Sequence, residues 1–196
     1  MEEIQKEPAI NIPPSTLLVS IVLLAIFAAL QKDTVFEWLV PRASFIPADF
    51  KSSNVYTLLS YALLHFGWAH IITNVTGLLA FGSGVERLLG VRKFWLVFIG
   101  GILLGALGHY ALFPHSTDPL GGASAGISAL FGCALPLMVR KRDLVIANVV
   151  FVLTNLLIGM MGMPGEPGLS IAWQAHIVGF LFGEVFVLIT LRSGKE

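Results

Sequence analysis

The sequence predicts an all-α membrane protein: a polytopic bundle of six transmembrane helices with both termini inside. Three observations carry this. Hydrophobic residues make up 56% of the 196-residue chain and charged residues only 12%, where a soluble globular chain is about 25% charged. Six apolar runs approach the roughly 20 residues needed to cross about 30 Å of hydrocarbon. Lys and Arg fall unequally on the two sides of those runs, which sets an orientation. A soluble fold of this length has too few polar groups here to cover its surface, so lipid is the expected solvent.

The N-terminal stretch MEEIQKEPAINIPPS is acidic and lacks the basic start of a signal peptide. The first apolar segment, Ser15–Gln31, is therefore read as an uncleaved span. The second span is expected from near Ser60 to near Gly82, the third over Phe94–Phe113 and the fourth over Gly121–Val139. The fifth is expected over Leu144–Met161 and the sixth over Ser170–Leu191. The stretch from Lys32 to about Leu59 mixes charges, aromatics and two prolines and is expected on the membrane surface. The other connections are short, so the chain reads as one bundle: a cytoplasmic tail (1–14), a membrane domain (15–191) and a second cytoplasmic tail (192–196). With the N-terminus inside, the inner segments carry Lys6, Arg87, Arg92, Lys93, Arg140, Lys141, Arg142, Arg192 and Lys195, and the outer ones only Lys32, Arg42 and Lys51. The net charge of zero gives no reason to expect a nucleic-acid partner. Cys133 is the single cysteine and reads as a small core residue.

In this topology the second, fourth and sixth helices all enter the membrane from outside. Ser124, about four residues into the fourth, and His176, about six into the sixth, then lie roughly 5–10 Å below the outer boundary. His70 and Asn74 on the second helix reach a similar level. Ionisable side chains inside hydrocarbon cost about 3 kcal/mol each on insertion scales, and so call for a reason.

His70 and Asn74 are four apart and share a helical face. They read as a donor pair aimed at a developing oxyanion, or as interhelical hydrogen bonds that hold the bundle. Ser124 lies among small residues, Leu120-Gly-Gly-Ala-Ser-Ala-Gly-Ile-Ser128, near a helix start whose free N–H groups suit an anion. The same residues also make a close-packing face, and Ser128 is the competing nucleophile. His176 stands one turn before Gly179 on the Gly179/Gly183 small-residue face, where it can meet a serine on another helix. A serine hydroxyl becomes nucleophilic when a neighbouring base takes its proton, and histidine does this near neutral pH. No intramembrane Asp is available to orient the imidazole, so a dyad is expected rather than a triad. His65 and His109 read as interfacial or interhelical bonding groups. Glu184 reads as a buried hydrogen-bonding group facing away from His176. Glu86-Arg87 reads as a structural pair closing the inner end of the bundle.

Taken together, these residues resemble the rhomboid family of intramembrane serine proteases. Three separated parts match in order: His70-Ile-Ile-Thr-Asn74 with Gly82-Ser-Gly-Val-Glu-Arg-Leu-Leu-Gly90, then Gly122-Ala-Ser-Ala-Gly-Ile-Ser-Ala-Leu-Phe-Gly132, then Ala175-His-Ile-Val-Gly-Phe-Leu-Phe-Gly183. The resemblance spans about Phe45 to Leu191. It implies Ser124 as nucleophile, His176 as general base, and His70 and Asn74 as oxyanion-stabilising side chains, assisted by the Ser124 backbone N–H. It places Ser128 near the histidine as a packing residue. It implies no metal and no cofactor, transmembrane proteins as substrates, and a multi-pass place in a bacterial inner membrane.

The family's usual Gly-x-Ser-Gly reads here Gly122-Ala-Ser-Ala125, with Gly126 one place later. That departure leaves open a catalytically inactive rhomboid-like protein that binds membrane clients. A metal-handling or transport protein using His65, His70, His109 and His176 is a third reading, with no His-Glu-x-x-His motif or intramembrane Asp to support it. The Gly- and Pro-rich Gly162-Met-Pro-Gly-Glu-Pro-Gly168 reads as a mobile cap or as an ordinary tight connection.

Overall fold

The computed structural model describes residues 11–162 and 171–193. The described residues are helical apart from turns and one isolated antiparallel bridge, Phe45 to Leu120. Helix α1 (Pro14–Leu30) starts on Pro14, a residue suited to a first turn because it has no N–H to satisfy. The Glu86 carboxylate, from a distant helix, accepts the N–H groups of Ser15 and Thr16 and the Thr16 hydroxyl, each at 2.8 Å. One buried stripe (Thr16, Val19, Ser20, Leu23, Phe27, Leu30) faces the bundle, and Leu18, Ile21 and Leu24 face outward.

Helix α2 (Asp33–Ala43) follows at once. The rest of the connection is not a simple surface ribbon. Phe45 is fully buried and packs on Phe50, Tyr61 and Tyr110. Its carbonyl accepts Leu120 N–H at 2.9 Å, and Ser116 O accepts Ala48 N–H at 3.0 Å. The connection thus braces the chain just before Ser124.

The second span departs from the expected continuous run. A short helix α3 (Thr57–Ser60) and a 3₁₀ turn end at Leu63, Leu64–Gly67 is non-helical, and the chain bends by 100° before helix α4 (Trp68–Gly77). Gly121 presses against this break: a methyl at Gly121 would lie 2.5 Å from the Phe66 ring and 3.2 Å from Leu64 O. Helix α4 continues through a π-turn (Leu78–Gly82) into α5 (Ser83–Leu89), well past the expected end. Gly90, at φ +85°, turns the chain into α6 (Val91–Leu112).

Helix α7 (Ser124–Met138) is the centre of the bundle, with most of its residues buried. It begins at Ser124, not three residues earlier at Gly121. Pro119 and the two glycines disfavour helix, and Gly122 sits at φ +109°, a conformation that glycine adopts without steric cost. At 15 residues it is only about 22 Å long. Helix α8 (Lys141–Met161) lies at the edge, with Asn155 its one buried residue. Helix α9 (Trp173–Ser193) packs closely on α6 and α7. Methyl groups added at Gly132, Gly179 or Gly183 would collide with the backbone of the facing helix, so α7 and α9 approach backbone to backbone.

Three described helices (α6, α8 and α9) are long and apolar enough to span a membrane; the bent run from α3 to α5 is a broken span or a re-entrant loop, and counts as a fourth when taken as one span. Helices α1 and α7 are apolar but shorter.

Candidate active site

The N-terminal turns of α4, α7 and α9 open on one cavity of about 690 Å³, lined by His70, Asn74, Ser124, Asn155 and His176 among others. Ser124 is the first residue of α7 and His176 the fourth of α9. Their side chains meet: His176 Nε2 and Ser124 Oγ are 2.7 Å apart. Ser124 also precedes the first backbone hydrogen bond of its helix, Ile127 N–H to Ala123 O. The opening amides of α7 are thus left for other acceptors, with the positive end of the helix dipole behind them.

His70 is the third residue of α4 and stands over the turn before Ser124. A methyl group at Gly122 would run into its Nε2, so Gly122 is required both by its backbone conformation and by the imidazole beside it. Asn74, one turn on, is buried, and its Nδ2 donates one hydrogen to His70 O at 2.9 Å. The four residues singled out in the sequence therefore line one cavity. Ser128, one turn deeper in α7, is not among its lining residues.

One expectation needs correction, that for Glu184, and one is made more specific, that for His65. His65 falls in the break before α4, is fully buried, and its ring stands 4.8 Å from that of His70. Glu184 does not face away from His176. Eight residues along a helix is only about 80° around the axis, and both side chains meet α8. Asn148 Nδ2 donates to both Glu184 carboxylate oxygens, at 3.0 and 2.9 Å. His109 bonds between helices as expected, its Nδ1 lying 3.3 Å from Gln174 Oε1. Glu86 ties the start of α1 to α5 by hydrogen bonds, a structural contact of the kind read for it. Among the described residues no three His, Cys, Asp or Glu side chains converge as a metal site. The cap reading of Gly162–Gly168 falls on residues that lie, from 163 on, outside the described ones.

Asn155 is the residue that the sequence reading missed. Its Oδ1 lies 2.9 Å from His176 Nδ1, and its Nδ2 donates to Phe151 O at 2.9 Å. The signal was available: an asparagine in an apolar helix needs a partner, whether or not it can ionise.

The Ala125 departure has a local answer. Ala125 is buried, and its methyl faces Gly105 of α6, where a second methyl would come within 2.6 Å of it. Gly126 in turn sits against Phe98, where a methyl would lie 2.8 Å from the backbone oxygen. The extra carbon beside Ser124 is thus taken up by a missing one on α6.

Comparison with known proteins fits this picture. The Rhomboid domain family model matches residues 52–193. The Rhomboid protease GlpG of Pectobacterium atrosepticum is 29% identical over 177 residues, covering 87% of this chain and 60% of that protein. The Rhomboid protease GluP of Bacillus subtilis is 28% identical over 128 residues, 65% of this chain and 24% of that protein. Rhomboid-related protein 2 of Mus musculus is 26% identical over 147 residues, 68% of this chain and 47% of that protein. In each case the chain spans less than two thirds of the relative's length. With the family model covering most of the chain, the fold described above is that of an integral membrane protein, and the chain belongs to the rhomboid family.

Proposed function

We propose that this chain is an intramembrane serine protease that cleaves peptide bonds in or near transmembrane segments of other membrane proteins. The observation that carries the proposal is the 2.7 Å contact between Ser124 Oγ and His176 Nε2, in a cavity also lined by His70 and Asn74. The relatives named as rhomboid proteases support it.

Ser124 Oγ attacks the scissile carbonyl carbon while His176 Nε2 takes its proton. The carbonyl oxygen becomes an oxyanion, held by His70, by Asn74 and by the Ser124 N–H at the helix start. Collapse breaks the C–N bond, and the imidazolium returns its proton to the leaving amine. A water, deprotonated by the same imidazole, then releases the acyl group and restores Ser124. Helical carbonyls are already hydrogen-bonded, so the substrate segment must unwind locally, which favours substrates with small or helix-breaking residues near the outer face. The packing of Ala125 on Gly105 weighs against an inactive client-binding relative, because the added methyl is accommodated with Ser124 and His176 in contact.

In the same reading residues 15–191 form a six-span domain of a bacterial inner membrane, with the tails 1–14 and 192–196 in the cytoplasm. The test is cleavage of a model transmembrane substrate by purified, reconstituted protein, with Ser124→Ala alongside. Cleavage by the unaltered chain that Ser124→Ala abolishes is expected. Equal cleavage by both, or cleavage lost on chelation of metal ions, rules the proposal out.

A further inference from the structure

We propose that Asn155, on the peripheral helix α8, is a positioning residue that fixes the tautomer and orientation of His176. The inference rests on the protease reading above. The chemistry of the asparagine amide carries it. One end of the amide faces Phe151 O, at 2.9 Å, and the other faces His176 Nδ1, at 2.9 Å. A backbone carbonyl can only accept, so the end facing it is the NH₂. The end facing His176 is therefore the oxygen, and an oxygen there requires Nδ1 to carry a hydrogen. A neutral imidazole has one N–H only, which leaves the Nε2 lone pair pointing at Ser124 Oγ, 2.7 Å away. That is the protonation state in which the histidine can take the serine proton. The chain Phe151 O, Asn155, His176, Ser124 thus has one consistent direction for every hydrogen, and its starting point is a helix backbone.

The asparagine supplies direction without charge. It holds the imidazole ring against rotation and disfavours the tautomer with hydrogen on Nε2, which could only donate to Ser124. It is the sole buried residue of α8, amid side chains such as Val145, Val149, Leu153 and Leu157 that face outward. A clasp that only joined two helices would need no particular partner on α9. Glu184 and Asn148 form such a clasp seven residues away along α8, with no contact to Ser124.

The experiment compares the unaltered chain with Asn155→Leu, Asn155→Asp and Asn148→Leu. It reads cleavage of a transmembrane substrate and the rate of Ser124 labelling by a fluorophosphonate, both against pH, with thermal melting as the check on folding. Labelling needs no transmembrane substrate, so it reports the dyad apart from substrate entry past α8. Asn155→Leu is expected to slow labelling and kcat by about ten- to a hundredfold, the range for loss of a positioning contact, with KM nearly unchanged. Asn155→Asp is expected to recover most of the rate. Its carboxylate stabilises the imidazolium, so the acid limb of the pH profile moves to higher pH; in Asn155→Leu the limb moves the other way. Asn148→Leu is expected to lower the melting temperature and leave the limb in place.

A folded Asn155→Leu that labels at the unaltered rate overturns the proposal. If that variant does not fold, an unmoved limb in Asn155→Asp overturns it. Should Asn148→Leu reproduce the whole effect, Asn155 is a clasp and the proposal fails. If the unaltered chain neither cleaves nor labels, the protease reading fails and this inference with it. If the chain cleaves and Ser124→Ala does not, while every Asn155 variant matches it, only this inference is lost.

Discussion

Gly105→Ala tests how tightly the bundle sets the Ser124–His176 distance. Gly105 of α6 faces the residue after Ser124 and the residue before His176 at once. A methyl group there would lie 2.6 Å from Ala125 Cβ and 3.0 Å from Ala175 O. Ordinary carbon–carbon contact is about 3.5–4.0 Å, so α6 and α7 must part by about 1 Å. Overpacking of that kind costs about 1–3 kcal/mol of stability. Because the neighbours on both sides of the wedge adjoin the two reacting residues, their 2.7 Å contact lengthens beyond hydrogen-bond range, and a misplacement of about 1 Å costs about a hundredfold in rate. The assay is substrate cleavage in proteoliposomes at a temperature where melting curves show the variant folded. Ala125→Gly alone should be close to the unaltered chain. Combined with Gly105→Ala it should restore most of the activity, since it removes the shorter of the two collisions. Gly84→Ala, where a methyl would meet nothing within 4 Å, is the neutral control. The reasoning is refuted if folded Gly105→Ala cleaves within about threefold of the unaltered chain, or if Ala125→Gly fails to relieve it, because a loss of about a hundredfold is what the packing demands.

Ser124→Ala and His176→Ala should each remove essentially all cleavage, and the double variant should be little worse than either, because a dyad acts as one unit; clear additivity in single-turnover rates would contradict this. His70→Ala or Asn74→Ala should leave measurable activity, lowered about a hundredfold or more, the usual loss for one oxyanion donor, whereas Ser128→Ala should keep the chemistry; loss confined to Ser128→Ala would mean that the nucleophile is misassigned. Glu86→Ala strips the acceptor from two buried N–H groups at the start of α1 and should cost about 1–3 kcal/mol for each donor left unpaired, read as a lower melting temperature with the site chemistry intact. A reporter fused after Glu196 should be active only on the cytoplasmic side, as the Lys and Arg distribution demands; activity on the outer side alone would reverse the topology.

Different parts of this architecture were legible for different physical reasons. The close approach of α7 and α9 follows from Gly179 and Gly183 on one helix and Ala125, Ala129 and Gly132 on the other, because small residues at helical spacing are what lets backbones approach in lipid. The all-helical class follows from composition. The break at Leu64–Gly67 is hard to read from the sequence, because Leu63, Leu64 and Phe66 are as apolar as a span and only His65 and Gly67 interrupt the run. What stabilises the break is tertiary: Gly121 lets Phe66 and Leu64 press against the turn before Ser124. The start of α7 was placed too early for a related reason, since hydropathy continues through Leu120–Ala123 whereas the backbone conformation of Gly122 does not continue the helix. Asn155 does not ionise, so a reading weighted toward ionisable groups passes over it. In hydrocarbon the cost of an unpaired amide is enough to demand a partner.

The same physics divides the labour at the site between two kinds of contact. Between apolar helices in lipid there is no hydrophobic force to gain, since the tails are as apolar as leucine, so association rests on close packing and on hydrogen bonds. Helices α6, α7 and α9 use the first, meeting through Gly101, Gly105, Gly126 and Gly179 with almost no free space. Helix α8 uses the second, and its two asparagines, seven residues apart, reach two polar side chains on α9. The glycine-lined core sets the distance between Ser124 and His176; the asparagine on α8 sets the direction of the imidazole. Distance and direction are therefore open to separate perturbation. A wedge at Gly105 lengthens the Ser124–His176 contact without touching the Asn155 amide. A substitution at Asn155 frees the imidazole without moving the backbones of α7 and α9.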